Sequence, residues 1–445
     1  MRRLLPLFLL LLALPASAQV TVTPGSGATV TDGSASTVVS FGDTASLDAF
    51  SRLRTSNAVT LFDSQFQYDL QPQIWEALTT TSGQVAHAPT TASATLTVTA
   101  TATDVAALQT YQYFRYQPGK SQLVVMTFLL GAATTNVTRR VGYFDANNGL
   151  YLQQTGDGLS LVRRSGGVDA TPIPQASWNL DSLDGNGPSG LRLDVTKTQI
   201  LFFDFQWLGV GRVRFGFDID GHVVYVHEMN HANLLTQVYM LNPNLPLRFE
   251  IRKTALAGTG TLMAICAMVA SEGGFEVDRG YSFSAQAMTA RTPASRRAIV
   301  SIRPRLVFGA SNIPSRGFYF IEDFDVALEG SGTTLIEIVY NPTYTTASGA
   351  LTWTNADTNN SQMEYSIHGD ANAGAITGGT VVHSYITSSS GSGAGARGSD
   401  ESRLSARSPI ALDAAGTGQR GFAIVCTNIV GTPAVRAVLN WKEIR

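Results

Sequence analysis

Polar and apolar residues alternate with a period of two along most of this chain. The clearest run is Thr95–Thr103, TLTVTATAT, in which threonines occupy one set of positions and apolar residues the other. A strand sends successive side chains to opposite faces, so this pattern predicts sheet strands with one wet face. The stretch RRVGYFDANNGLYLQQTGDGLSLVRR predicts three strands, separated by Ala146–Gly149 and by Gly156–Gly158. Asn-Gly and Asp-Gly supply the positive φ that two-residue hairpins require. A nearly continuous apolar strand, TQILFFDFQWL, follows over 198–208, and RVRFGFDI and HVVYVHEM flank a second hairpin turn at Asp220-Gly221. That turn pairs Ile219 with His222, Phe217 with Val224 and Arg214 with His227. No window carries the i, i+3, i+4 apolar rhythm of a helix over three turns.

The texture divides the chain. Residues 1–18 read as a signal peptide: a charged start, an apolar run of 11 residues from Leu4 to Leu14, and a small-residue cleavage site ending at Ala18. That run falls short of the ~20 residues needed to span a bilayer, and no later stretch reaches that length, so the mature chain is expected to have no membrane span. Residues 19–56 are a Thr/Ser/Gly/Val arm without a sustained apolar face. Residues 57–285 predict a jelly-roll (lectin-like) β-sandwich, 286–297 a basic, proline-containing linker, and 298–445 a second, smaller β-sandwich. Within the last, SSSGSGAGARGSDES at 388–402 reads as a low-complexity surface loop. The fold class expected is therefore all-β throughout.

Composition sharpens this. Hydrophobic residues make up 44% and charged residues only 14%, which excludes a disordered chain. A net charge of −2 supplies no field for nucleic acid or anionic membrane. Lysine occurs four times among 31 basic residues, so the positive charge is nearly all arginine, the side chain suited to fixed planar contacts. Cys266 and Cys426 each lie in an apolar strand-like run and read as separate buried thiols.

Several motifs invite a chemical reading. His227-Glu228-Met229-Asn230-His231 is a literal HExxH, but a zinc site needs it on a helix, and here it continues a strand. Consecutive side chains then face opposite ways, and His227 and His231 lie about 13 Å apart at ~3.3 Å per residue. Asp204 and the pair Glu276/Asp278 are the nearest approach to glycosidase carboxylates. Asp204 has Gln206 one strand period away, and Glu276/Asp278 abuts a turn. Gly209-Val210-Gly211 reads as a turn between strands rather than a phosphate loop. Trp75, Tyr111, Tyr113 and Tyr116 could stack on sugars, although such aromatics more often fill a core. No catalytic, cofactor-binding or metal-binding residue is assigned on these grounds.

The segment DAFSRLRTSNAVTLFDS, within 47–64, resembles the opening of a family of tailed-bacteriophage virion structural proteins, described as minor tail or tail-fibre-like. RRVGYFDANNGL at 139–150, SWNLDSLDGNGPSG at 177–190, FQWLGVGRV at 205–213, NLPLRFE at 244–250 and the closing LNWKEIR at 439–445 extend the likeness in order. The resemblance implies a non-enzymatic protein of tail, fibre or capsid, assembling with itself as a homo-oligomer and with other virion proteins. Arg52, Arg54, Arg139 and Arg140 would stand at contacts. It implies no active site and no cofactor. Its location would be the virion, or the envelope or exterior if the leader is cleaved after Ala18. The alternative is an exported carbohydrate-binding or adhesion protein gripping cell-surface glycan. Third comes a glycan-degrading enzyme.

Overall fold

Strands follow one another from Ala58 to the C-terminus, as the period-two pattern requires, with two short 3₁₀ turns the only helical pieces among the described residues. The computed structural model describes residues 28–31, 38–41, 57–99, 101–274, 276, 280–310, 312–345, 351–368, 374–399 and 408–445. The expected leader at 1–18 lies outside them, as do Arg52 and Arg54. Within the arm, Ala28–Thr31 pairs antiparallel with Val38–Phe41. Ala58–Arg445 forms one compact unit.

Two antiparallel sheets build the first part of that unit. The first sheet runs Val168–Asp169, Gly158–Ser165, Gly149–Thr155, Val137–Phe144, Leu247–Lys253, Val105–Thr110, Trp75–Thr80, with Ile173–Pro174 beside the Gly158 strand. The second runs His222–Met229, Val213–Ile219, Gln199–Phe205, Ser121–Leu129, Gly260–Glu272, Ser93–Val98, Gln84–Ala88, with Ala58–Gln65 also on the Gly260 strand. Both hairpins expected around Asn148-Gly149 and Asp157-Gly158 form, joining the Val137, Gly149 and Gly158 strands. The inner faces meet in one core: Leu108, Val141, Leu152 and Phe249 from the first sheet pack with Leu96, Met126, Phe203 and Phe215 from the second.

The Asp220-Gly221 hairpin also forms, both turn residues at positive φ (52° and 77°), with Ile219 opposite His222 and Phe217 opposite Val224. Beyond that the expected register fails. A bulge at Val226 inserts an extra residue, so Phe215 rather than Arg214 stands opposite His227, and Arg214 faces Glu228. One inserted residue moves every later pairing by one position. Val226, the inserted residue, is fully buried, which gives the bulge a packing reason.

The third sheet takes the remainder: Tyr281–Arg291, Ala434–Ile444, Phe318–Tyr344, Phe422–Gly431, Arg297–Pro304, Met363–Ile367 and Thr354–Asn355, with Ile376–Ser399 along the Phe318 strand. Its core cluster draws Ile302, Phe324, Ile338, Ile424, Leu439 and Trp441 from this one sheet. A sheet that buries its own residues against one another must curl, and this one is a half-barrel rather than the expected second pair of facing sheets. The 27-residue Phe318–Tyr344 strand allows it: Gly330 takes φ +90° mid-strand, and the Ala434 strand pairs before this point, the Phe422 strand after it. The expected loop at 388–402 is also corrected. Residues 388–399 continue the Ile376 strand, pairing with Asp323–Thr333, and the Ser388 and Thr333 hydroxyls lie 2.9 Å apart. An open strand edge offers backbone partners to any segment small enough to lie on it, and serine and glycine present no steric obstacle.

Among the described residues no helix is long and apolar enough to cross a membrane.

Candidate functional site

The outward face of the first sheet carries the most organised polar cluster. Val137–Phe144 sends Val141 and Tyr143 into the core, leaving Arg140, Gly142 and Phe144 on the other face. Leu247–Lys253 buries Phe249 and Ile251 in the core and turns Arg248, Glu250 and Arg252 outward. Gly149–Thr155 likewise presents Tyr151 and Gln153. Register then aligns two rows across the sheet: Gln153, Arg140, Glu250, and beside it Tyr151, Gly142, Arg248, Gln109.

Each row is tied by hydrogen bonds. Arg140 donates through Nε to Gln153 Oε1 at 2.9 Å and through Nη1 to Glu250 Oε1 at 3.2 Å. Arg248 grips the other oxygen of Glu250 through Nε and Nη2, at 3.0 and 2.6 Å, and gives Nη1 to Gln109 at 2.7 Å. At the sheet's edge Arg164 makes a two-pronged bond to Asp169 (2.7 and 3.2 Å), and the Tyr151 hydroxyl donates to the same carboxylate at 2.6 Å. The guanidinium carbons of Arg140 and Arg164 each lie 5.4 Å from the Tyr151 ring, and that of Arg248 lies 5.7 Å from the Phe144 ring. Both rings are fully buried, so the arginines roof them.

Burial would raise the pKa of the Glu250 carboxyl, but Arg248 and Arg140 outweigh it and hold Glu250 below the usual carboxylate range. Burial works against Asp169 as well, and the Arg164 and Tyr151 hydrogen bonds overcome it. Gly142 is required beneath this array. A Cβ there would stand 2.4 Å from the Leu150 carbonyl oxygen and 2.6 Å from the Tyr151 Cβ. Above the rows opens a cleft of about 330 Å³, walled by Arg140, Arg164, Arg248, Arg252, Asp145 and Glu250. The result is a set of planar donors and acceptors already locked in place, able to hold a small polar ligand.

The residues singled out by sequence do not gather there. His227 lies on its strand and His231 beyond the strand's end, opening a turn. His227 Nδ1 accepts the Asn179 backbone N–H at 3.1 Å; His231 Nδ1 donates to the Gly211 carbonyl at 2.7 Å and its ring stacks on Tyr239 at 4.2 Å. Burial lowers the pKa of both imidazoles. No group of three or more His, Cys, Asp or Glu able to hold a metal ion occurs among the described residues.

Asp204 sits on the outward face of the second sheet, where Arg214 binds it at 2.8 and 2.6 Å and the Tyr225 hydroxyl at 2.7 Å. Glu276 stands 3.8 Å from the Lys120 ammonium, while Asp278 lies outside the described residues. Gly209 takes a turn conformation, φ +77°. Trp75, Tyr113 and Tyr116 are buried, and Tyr111 lies under the Arg420 guanidinium at 3.9 Å. Arg139 is buried and committed to Thr261, Ala132 and Gln154, whereas Arg140 belongs to the cleft. Both cysteines are free, Cys426 buried and Cys266 partly so.

Sequence reasoning missed the cleft as a unit. The signal was present in RRVGYF, LYLQQ and LRFEIR, whose period-two sets carry its arginines, Glu250, Tyr151 and Gln153. Nothing local says that strands 100 residues apart are neighbours.

No family model matches the chain, and no curated protein matches it. Solved structures resemble about half of it. Among them are a glycoside hydrolase family protein from Mycobacterium thermorestibile (TM-score 0.33, 12% identity, 47% of this chain and 99% of that one) and the Crh5 transglycosylase in complex with NAG (TM-score 0.30, 17% identity, 49% and 88%). Peanut lectin is a third (TM-score 0.29, 8% identity, 49% and 100%). At this degree of likeness no chemistry or residue role passes to the chain. The expectation of a virion protein is nevertheless corrected: these three are named as a glycoside hydrolase family protein, a transglycosylase and a lectin, and none as a phage tail, fibre or capsid protein. The expected place in the tail or virion of a bacteriophage falls with it. The exclusion of enzymatic activity falls too, since two of the three are named as enzymes.

Proposed function

We propose that this chain is a carbohydrate-binding protein, and that the two facing sheets form a lectin-like jelly-roll sandwich presenting the arginine-walled cleft to a saccharide. The observation that carries the reading is the preorganisation of that cleft. Its guanidinium and carboxylate groups are held by one another and by the rings beneath, so little side-chain entropy remains to be lost on binding. Planar forks of this kind match the paired oxygens of sugars and their substituents. Its volume lies at the small end of the range for small-molecule sites, roughly 300–1,000 Å³. A surface built for assembly would instead concentrate apolar side chains and shed charge at its centre. Export suits the same role, and residues 1–18 would supply it; a mature N-terminus at Gln19 is the corresponding expectation.

The test is titration calorimetry of the protein with a panel of neutral and acidic oligosaccharides, repeated with Arg248→Ala. Saccharide binding that weakens by about tenfold or more in the variant, with the near-ultraviolet circular dichroism unchanged, is expected for a lost charge-assisted pair. Absence of binding to every saccharide at millimolar concentration, or equal binding by the variant, overturns the reading.

A further inference from the structure

We infer that the group seated in this cleft is anionic: a carboxylate or sulfate carried on the sugar. The inference rests on the carbohydrate-binding reading and narrows it.

Four guanidinium groups, those of Arg140, Arg164, Arg248 and Arg252, line the cleft with the carboxylates of Asp145 and Glu250, and a third carboxylate, Asp169, is paired to Arg164. Each carboxylate is already engaged. Glu250 is shared by Arg140 and Arg248, and Asp169 by Arg164 and Tyr151. Asp145 accepts the backbone N–H groups of Asn147 and Asn148, at 2.7 and 2.8 Å, within the turn that ends the Val137 strand. Arg252 is different. It is exposed, two residues beyond Glu250 on the same face, and its side chain makes neither a hydrogen bond nor an ion pair among the described residues. The cleft therefore holds one positive charge in excess, on the side chain with all five N–H donors unspent.

A neutral sugar would leave that charge unmatched, whereas an anionic substituent completes it. The rings point the same way. Neutral glycans commonly gain affinity by laying a ring face on an exposed aromatic, but Tyr151 and Phe144 are buried under the guanidinium groups and offer no open face. What the cleft does offer is N–H donors in forks, the arrangement that recognises carboxylate and sulfate.

The experiment compares matched pairs on the full chain: a galacturonic acid trisaccharide against its methyl ester, and a 6-sulfated galactose oligosaccharide against its desulfated form. Each is titrated into wild type and Arg252→Ala, a substitution that removes no side-chain hydrogen bond or ion pair among the described residues. Wild type is expected to prefer one charged member over its neutral partner by about tenfold, the ratio falling to about threefold or less in Arg252→Ala. Which charged member is preferred separates carboxylate from sulfate. The preference should shrink as salt rises from low to physiological ionic strength. Equal binding of charged and neutral members overturns the anionic assignment while leaving carbohydrate binding in place. So does a charge preference that survives Arg252→Ala. Failure of all four saccharides to bind overturns both.

Discussion

His368 offers a prediction whose size can be worked from the structure. It lies buried at the end of Met363–Ile367, with Nε2 2.9 Å from the Ser301 hydroxyl, which itself accepts the Tyr344 hydroxyl at 2.6 Å. Ser301 and Nε2 share that one hydrogen bond, and Nδ1, buried on the other side of the ring, has no partner to hold a second proton. The ring is neutral by necessity: burial pulls its pKa down from 6.5 to about 4, and no charged neighbour contributes. A base whose folded pKa is depressed stabilises fully above its unfolded pKa and loses that stability as pH falls toward the folded value. Between pH 7 and pH 5 the loss is about 2 kcal/mol, and by pH 4 about 3 kcal/mol, a sizeable share of the roughly 5–15 kcal/mol that holds a domain folded. Urea unfolding of wild type and His368→Gln at pH 7, 5 and 4 measures it. Carboxylates titrating elsewhere act on both proteins alike, so the difference between them isolates His368. Wild type should lose about 3 kcal/mol more than the variant by pH 4. Parallel stability curves for the two proteins would refute the argument.

Two further outcomes test the packing. Gly142→Ala should destabilise the protein by about 3 kcal/mol, since the new methyl meets backbone and Tyr151 rather than a flexible tip, and it should weaken saccharide binding with it; thermal unfolding and titration together check this. Burial raises the pKa of both thiols, so native protein treated with iodoacetamide at pH 8 should be labelled slowly at Cys266 and at Cys426 only after unfolding, and a disulfide-linked peptide in the mass spectrum would contradict the structure.

Much of this protein can be read along the chain, and the reason is the strictness of period two. A strand offers two faces, and in RRVGYF, LRFEIR and QILFFDF the apolar members mark the buried one without reference to anything distant. The tight turn at Asp220-Gly221 is equally local, because positive φ is a property of the residues themselves. So the all-β class and three hairpins were accessible from residue order alone, whereas Arg139, expected at a contact beside Arg140, is buried. Ladder partners were not. Glu250 meets Arg140 across 110 residues and Arg248 meets Gln109 across 139, pairings that exist only because two sheets close over one core. The bulge at Val226 moved His227 from Arg214 to Phe215, and the curl of the third sheet over its own core put a half-barrel where a second sandwich was expected. An open edge made a strand of serines and glycines that read as a loop. In each case the deciding energy is a hydrogen-bond ladder or a packed core between segments far apart in sequence, and the residues on either side carry no local mark of it.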